Sequence, residues 1–329
     1  MTFKAILVSK ADTGLKTDLV SLSDADLGDG DVTVAVEYST INYKDGLAIS
    51  GRGNIIQTFP LIPGIDLAGT VEASASADFK PGDRVVIHGW ALGATHHGGF
   101  SQRARVPARW LTRLPSNVST WQAAAIGTAG FTAMLSVLAL EHNGVMPASG
   151  DVLVTGANGG AGSVAIAILS GLGYRVAAST GRLNEAEYLK SLGAAEIIDR
   201  RTLSDPSPQP IQPARWAGAI DSVGSHTLVN VLAQTQYGGA VASFGLAQGT
   251  DLPGTVLPFI GRSVTLAGVD SVNAPPAKRD RAYQRLAADL DFGKLEAMTK
   301  TVGLAEAPEI ARSIFGGGIQ GRVVVDVNV

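Results

Sequence analysis

At 329 residues, with 45% apolar and 17% charged positions, the chain has the composition of a folded protein of about two domains and not of a disordered segment. A net charge of −3, with acids and bases interspersed, offers no basic stripe to track a nucleic-acid backbone. The lack of cysteine removes disulfides, thiolate nucleophiles and cysteine-ligated metals together.

In chain order, "MTFKAILVSK" reads as a first strand: its apolar run is too short for a signal peptide and no small-residue cleavage site follows. "VTVAVEYS", "GTVEAS", "DRVVIHG" and "SQRARV" are further short β-like runs separated by turn residues, so residues 1 to about 120 are expected to be all-β and barrel-like. Between the first two lies "TINYKDG", residues 40–46, which reads either as an active-site loop or as the polar rim of a turn. The uncharged run 123–140 is about long enough to span a bilayer, but Gly127, Thr128, Gly130, Thr132 and Ser136 interrupt it, as in a buried helix. No membrane association and a cytoplasmic location are therefore expected.

From about Thr120 the rhythm becomes strand, glycine turn, helix: "DVLVTG", "YRVAAST", "EIIDR", "GAIDSV", "GAVASFG" and "SVTLAGV". Alternating β and α units predict a parallel sheet with helices on both faces. The four prolines of "DPSPQPIQPAR", residues 205–215, mark a surface loop, and "AKRDRAYQRLAADLDFG" reads as a charged helix. The terminal "GRVVVDVNV" is a strand able to rejoin the first sheet. The expected architecture is α/β: a barrel-like β catalytic domain over 1–124 and 270–329, and a Rossmann doubly wound parallel-sheet domain over 125–269.

The most specific signal is "DVLVTGANGGAGSVAIAILSGLGYRVAAST". A strand runs into Gly156, Gly159, Gly160 and Gly162 and then into an apolar helix, which lets backbone N–H groups and the helix dipole meet a pyrophosphate. The second strand ends "AASTGR" with no acid to hold a ribose 2′-hydroxyl; Ser179, Thr180 and Arg182 suit a 2′-phosphate instead. The cofactor predicted is NADPH. His88, His96 and His97 lack a third ligand at metal spacing, so no metal site is expected.

Taken together, "INYKDGLAISG", "FPLIPGIDLAGTV", "FKPGDRVV", "GGFSQRARVP", "IGTAGFTAML" and "TGANGGAG" resemble the medium-chain dehydrogenase/reductase superfamily over nearly the whole chain. Its first domain is GroES-like. "NYKDGL", "PFIGR", "GVDSV" and "IQGR" are most similar to the NADPH-dependent acryloyl-CoA reductases within it. Zinc members carry a Cys, a His-Glu pair and a further ligand where this chain has Asn42, Ile65, Asp66 and Thr128, so the resemblance implies a zinc-independent enzyme.

The resemblance also implies the site. Asn158, Gly159, Gly160, Ala161 and Gly162 would line the pyrophosphate; Ser179, Thr180, Gly181 and Arg182 the 2′-phosphate; Arg200 a second phosphate or adenine-side contact. Leu246, Ile260 and Ser271 would face the nicotinamide, the first two being equally readable as core, and Gly317 would offer backbone only. Tyr43 is then a cofactor contact and either the proton donor or a stacking group, since a phenol hydroxyl donates at neutral pH. Asn42 would hold backbone or substrate, Asp45 would orient Lys44 or Tyr43, and Arg52 would meet the phosphates of an acyl-CoA. The implied reaction, in the cleft between the domains, is reduction of the C=C bond of acryloyl-CoA to propanoyl-CoA by a homodimer. Its rivals are a quinone or 2-alkenal reductase of the same fold and a non-catalytic NADPH-binding protein.

Overall fold

In the strand Val32–Thr40, Val32, Val34 and Val36 are buried while Thr33, Ala35 and Glu37 are half-exposed, the period-two pattern of a strand with one face on a core. The same logic repeats along the chain. The computed structural model describes residues 1–12 and 14–329. Its strands are β1 (Thr2–Ala11), β2 (Gly14–Ser23), β3 (Val32–Thr40), β4 (Asp66–Ser74), β5 (Arg84–His88), β6 (Arg103–Val106), β7 (Thr112–Arg113), β8 (Val152–Val154), β9 (Val176–Thr180), β10 (Ala194–Asp199), β11 (Trp216–Asp221), β12 (Thr235–Ser243), β13 (Thr265–Gly268), β14 (Thr299–Gly303) and β15 (Arg322–Asp326).

Two units emerge. The first comprises Met1–Phe131, Ser271–Ala287 and Leu295–Val329. Here β1 and β2 pair antiparallel, and a seven-stranded sheet runs β14-β15-β3-β4-β5-β7 with β6 on β3. The terminal strand does rejoin this sheet, with Val324 opposite Thr40. Phe3, Val34, Leu67, Phe100 and Val325 belong to its core.

The second unit comprises Thr132–Asp270 and Ala288–Lys294. Its sheet runs β10-β9-β8-β11-β12-β13 with every pairing parallel. Reading β8 as the first strand, that is the 3-2-1-4-5-6 order of a dinucleotide-binding fold. β8, β9 and β11 are buried at every residue, as expected of strands covered on both faces. The predicted runs of both units thus fall on observed strands, and 205–215 holds almost no helix or strand.

Four helices position the chemistry: α1 (Tyr43–Ile49), α2 (Thr120–His142), α3 (Gly160–Gly171) and α4 (Ala186–Leu192). "NYKDG" is neither an irregular loop nor a turn rim, because it caps and opens α1. Helix α2 is long and apolar enough to cross a membrane, and 78% of its apolar stretch is buried in the protein. It kinks at Gly127, where φ is +52° and a Cβ would lie 2.2 Å from a guanidinium nitrogen of Arg322, so only glycine serves.

Candidate active site

The first unit assembles a buried polar cluster around the start of α1. Asp45, in the first turn, accepts the N–H of Asn42 at 2.8 Å, the Asn42 Nδ2 at 3.2 Å and the N–H of Ile65 at 2.9 Å. Its carboxylate is therefore engaged by Asn42 and Ile65 and not by Lys44 or Tyr43. Asn42 Nδ2 also donates to Asp66 Oδ2 at 2.8 Å. Asp66 further accepts His88 Nδ1 at 2.9 Å, the N–H of Thr128 at 2.8 Å and the Thr128 hydroxyl. Arg322, reaching in from β15, donates to Ala125 O and to Thr40 Oγ1, each at 2.8 Å.

Electrostatics separate the two carboxyls. Burial would raise Asp66, but the charge and hydrogen bond of His88 and the bonds from Thr128 hold it below the usual carboxylate range. Asp45 is pushed up to about 7, first by burial and then by the neighbouring Asp66, against the bonds from Asn42 and Ile65. His88 Nε2 meets the hydroxyl of Tyr283, a phenol that burial raises well above its usual range, so it stays protonated.

The elevated Asp45 sets a pH dependence with a definite sign. Between its unfolded value near 3.8 and its folded value of about 7 the native protein binds the extra proton, so this contribution to stability is full below pH 4 and is lost as pH rises to 7. Asp66, already ionised above pH 5, adds no slope there. Urea midpoints should show the wild type losing roughly 2–3 kcal/mol from this group between pH 5 and pH 8, and Asp45→Asn should flatten that slope. A wild type and variant with parallel pH curves would refute the assignment.

Tyr43 stands at the rim, 52% exposed, with its ring edge-on to Phe315 at 5.2 Å between centroids. The Arg52 guanidinium lies 4.9 Å over the same Phe315 ring. Phe315 therefore brings Tyr43 and Arg52 together, with Gly317 two residues on in a left-handed conformation. The carbonyl of Ser271 accepts from Arg279 at 3.2 Å, and the same guanidinium donates to His88 O at 2.7 Å.

A resident zinc does not fit this donor set. Four donors already engage the Asp66 carboxylate, Ile65 offers no side-chain ligand, and among the described residues no three His, Cys, Asp or Glu converge.

The second unit builds the predicted nucleotide turn. Gly159 caps α3, and a Cβ on Gly162 would fall 2.5 Å from Gly156 O and 2.8 Å from Ala157 Cα. Strand, turn and helix thus meet backbone to backbone and leave the first N–H groups of α3 for an anion, a fit for the pyrophosphate of a dinucleotide. Asn158 accepts the Thr180 hydroxyl, and Thr180 Oγ1 in turn accepts the Arg182 N–H at 2.9 Å. Ser179 beside them is buried. Arg200 lies over Gly181, where a Cβ would sit 2.6 Å from Arg200 Nε, so glycine makes room for the guanidinium.

One acid does stand here. Glu185, three residues past Arg182, accepts Asn158 Nδ2 at 2.7 Å and lies 3.4 Å from the Arg182 guanidinium. The structure thus gathers Asn158, Thr180, Gly181, Arg182 and Arg200, and adds Glu185, for which only its i,i+3 spacing from Arg182 gave a signal. Leu246 and Ile260 are not core: they are 59% and 73% exposed.

Comparison with known proteins agrees with both units. Residues 28–116 match the alcohol dehydrogenase GroES-like domain family, and 160–288 the zinc-binding dehydrogenase family. The chain is 52% identical to Acrylyl-CoA reductase AcuI of Ruegeria pomeroyi over 99% of both sequences. Among solved structures, the yhdH oxidoreductase of Salmonella enterica in complex with NADP superposes with a TM-score of 0.96 at 48% identity, covering 99% of this chain and 100% of that one. The yhfP protein of Bacillus subtilis with NAD bound does so at 0.96 and 44%, with the same coverage, and carries the name putative quinone oxidoreductase. With its GroES-like unit, its 3-2-1-4-5-6 sheet and full-length identity of this order, the chain belongs to the medium-chain dehydrogenase/reductase superfamily, in the quinone oxidoreductase-like group that includes the acrylyl-CoA reductases.

Proposed function

We propose that the protein reduces the C=C bond of an α,β-unsaturated acyl-CoA with NADPH, converting acryloyl-CoA to propanoyl-CoA. The observation that carries this reading is the 52% identity, over 99% of both chains, with a protein named acrylyl-CoA reductase. In this reading residues 1–124 and 270–329 form the catalytic domain and 125–269 the NADPH-binding domain.

Bound NADPH supplies the hydride that adds to the β-carbon. The chain's own residues then have the following roles. Asn158, Gly159, Gly160, Ala161 and Gly162 hold the pyrophosphate on the α3 N-terminus. Ser179, Thr180, Gly181, Arg182 and Arg200 hold the 2′-phosphate, with Arg182 pairing its fork against the phosphate oxygens. The exposed Leu246 and Ile260, with Ser271 and the Gly317 backbone, bound the nicotinamide side. Tyr43 contacts the cofactor and delivers a proton to the α-carbon, while Asn42 and the buried Asp45 fix the helix turn that carries it. Arg52 meets a coenzyme A phosphate.

The test is consumption of NADPH without added metal, with acryloyl-CoA, crotonyl-CoA, free acrylate, a 2-alkenal and a quinone side by side, repeated on Tyr43→Phe. Turnover confined to the acyl-CoA substrates is expected, with Tyr43→Phe slower by about 10²-fold if the hydroxyl is the acid. Preference for the quinone, the reading favoured by 44% identity to a putative quinone oxidoreductase, would replace the substrate but not the cofactor. Tyr43→Phe with unchanged turnover and NADPH affinity would remove both of its roles. A cytoplasmic homodimer completes the proposal; β13, an unpaired edge of the six-stranded sheet, is the surface that suits self-association.

A further inference from the structure

Glu185 sits where the second strand hands over to α4, and its carboxylate touches two of the residues assigned to the cofactor. It closes the short turn Leu183–Glu185 directly after Arg182. One oxygen accepts the Asn158 amide at 2.7 Å, and the other lies 3.4 Å from Arg182 Nη1, with side chains 22% and 28% exposed. At this end of the second strand an acid is the group that accepts a hydrogen bond from a free ribose 2′-hydroxyl. A 2′-phosphate brings dianionic charge to the same place and draws on the guanidinium that Glu185 already engages.

We infer that Glu185 is a selectivity residue: it competes with the 2′-phosphate for Arg182 and narrows the preference for NADPH over NADH. The inference rests on reading the Asn158–Arg182 cluster as the adenosine end of the dinucleotide site. It concerns the ratio of the two affinities and not which dinucleotide is the better ligand. One relative of known structure holds NADP and another NAD at TM-scores of 0.96 each, so the fold by itself admits either dinucleotide.

The competition has a direction. Removing the carboxylate's charge while keeping its shape frees the Arg182 fork and removes repulsion of the phosphate, which strengthens NADPH. NADH, lacking the phosphate, gains nothing and exchanges a charged acceptor for its 2′-hydroxyl for a weaker neutral one. A carboxylate that merely ordered Arg182 would behave in the opposite way, since its loss would weaken NADPH.

The experiment is a titration of wild type, Glu185→Gln and Glu185→Asp with NADPH and with NADH in the absence of substrate, following fluorescence of the reduced nicotinamide. Glu185→Gln should shift the ratio of dissociation constants toward NADPH by about tenfold, the order expected for one charged contact. Glu185→Asp, which keeps the charge, should hold the ratio near that of wild type. An unchanged ratio in Glu185→Gln, or a weaker NADPH complex, would overturn the inference. A wild type that binds NADH more tightly overturns the NADPH reading alone, and the inference stands if Glu185→Gln still moves the ratio toward NADPH. Binding of neither dinucleotide by any variant overturns both.

Discussion

Asp66→Ala is expected to lower the unfolding free energy by about 3–5 kcal/mol, the range for removing one partner from a buried ionic cluster. The reason is the number of donors aimed at one carboxylate. With Asp66 gone, Asn42 Nδ2 keeps only its longer bond to Asp45, and His88 Nδ1 and both Thr128 donors lose their bonds to this carboxylate in a region where Asn42 and His88 are all but sealed from water. Arg322 also loses one of the two carboxylates that offset its burial. Asp66→Asn keeps the volume and one acceptor oxygen, so about 1–3 kcal/mol is expected for it. Chemical denaturation of both variants at pH 7 measures this. An alanine variant within 1 kcal/mol of wild type would mean that water or a shifted side chain replaces the carboxylate and that the cluster is not what positions α1.

Gly162→Val is expected to weaken NADPH by at least about 100-fold while leaving the first unit folded. The new Cβ alone would fall 2.5 Å from Gly156 O, 2.8 Å from Ala157 Cα and 2.9 Å from Ala157 O. All three are backbone atoms of the turn, so no flexible side chain can yield. The start of α3 must tilt away from β8, and with it go the N–H groups and the dipole end that hold the pyrophosphate. Loss of one charge-assisted anion site of this kind accounts for a few kcal/mol, hence the hundredfold estimate. Isothermal titration gives the affinity, and far-UV circular dichroism checks the fold. An affinity within threefold of wild type would show that the turn tolerates the shift and that glycine is present for another reason.

The nucleotide unit was legible because its signals are local. Glycines at fixed offsets, bracketed by an apolar strand and an apolar helix, specify β8, the turn and α3 with no knowledge of the rest of the chain. The first unit's strands were readable from period-two alternation, but β2, without a fully buried residue and mixed in sequence as "GLKTDLVSLS", had no such pattern. The polar cluster was less legible still. Asn42 and Asp66 are 24 residues apart, and Asn42 and Arg322 are 280 apart, so only the folded sheet brings them together. Zinc-family comparison drew attention to Asn42, Asp66 and Thr128 as missing ligands, without the reason that these same side chains satisfy one another. Phe315 is not legible because an aromatic beside a glycine run carries no chemical signature, and Glu185 because it stands a turn beyond the strand end where an acid is diagnostic.

The place of β15 has a consequence for how the protein is made. This strand, synthesised long after its partner β3, fills the slot between β14 and β3, and its Arg322 reaches a hydroxyl 282 residues back at Thr40. The nucleotide-binding unit is almost one continuous stretch and can complete its sheet during translation, as domains generally do. The earlier-synthesised unit cannot. Part of β3 stays an open edge until β15 emerges, a template for pairing with other nascent chains, so the sheet begun earlier is the one completed later and depends most on protection while it waits.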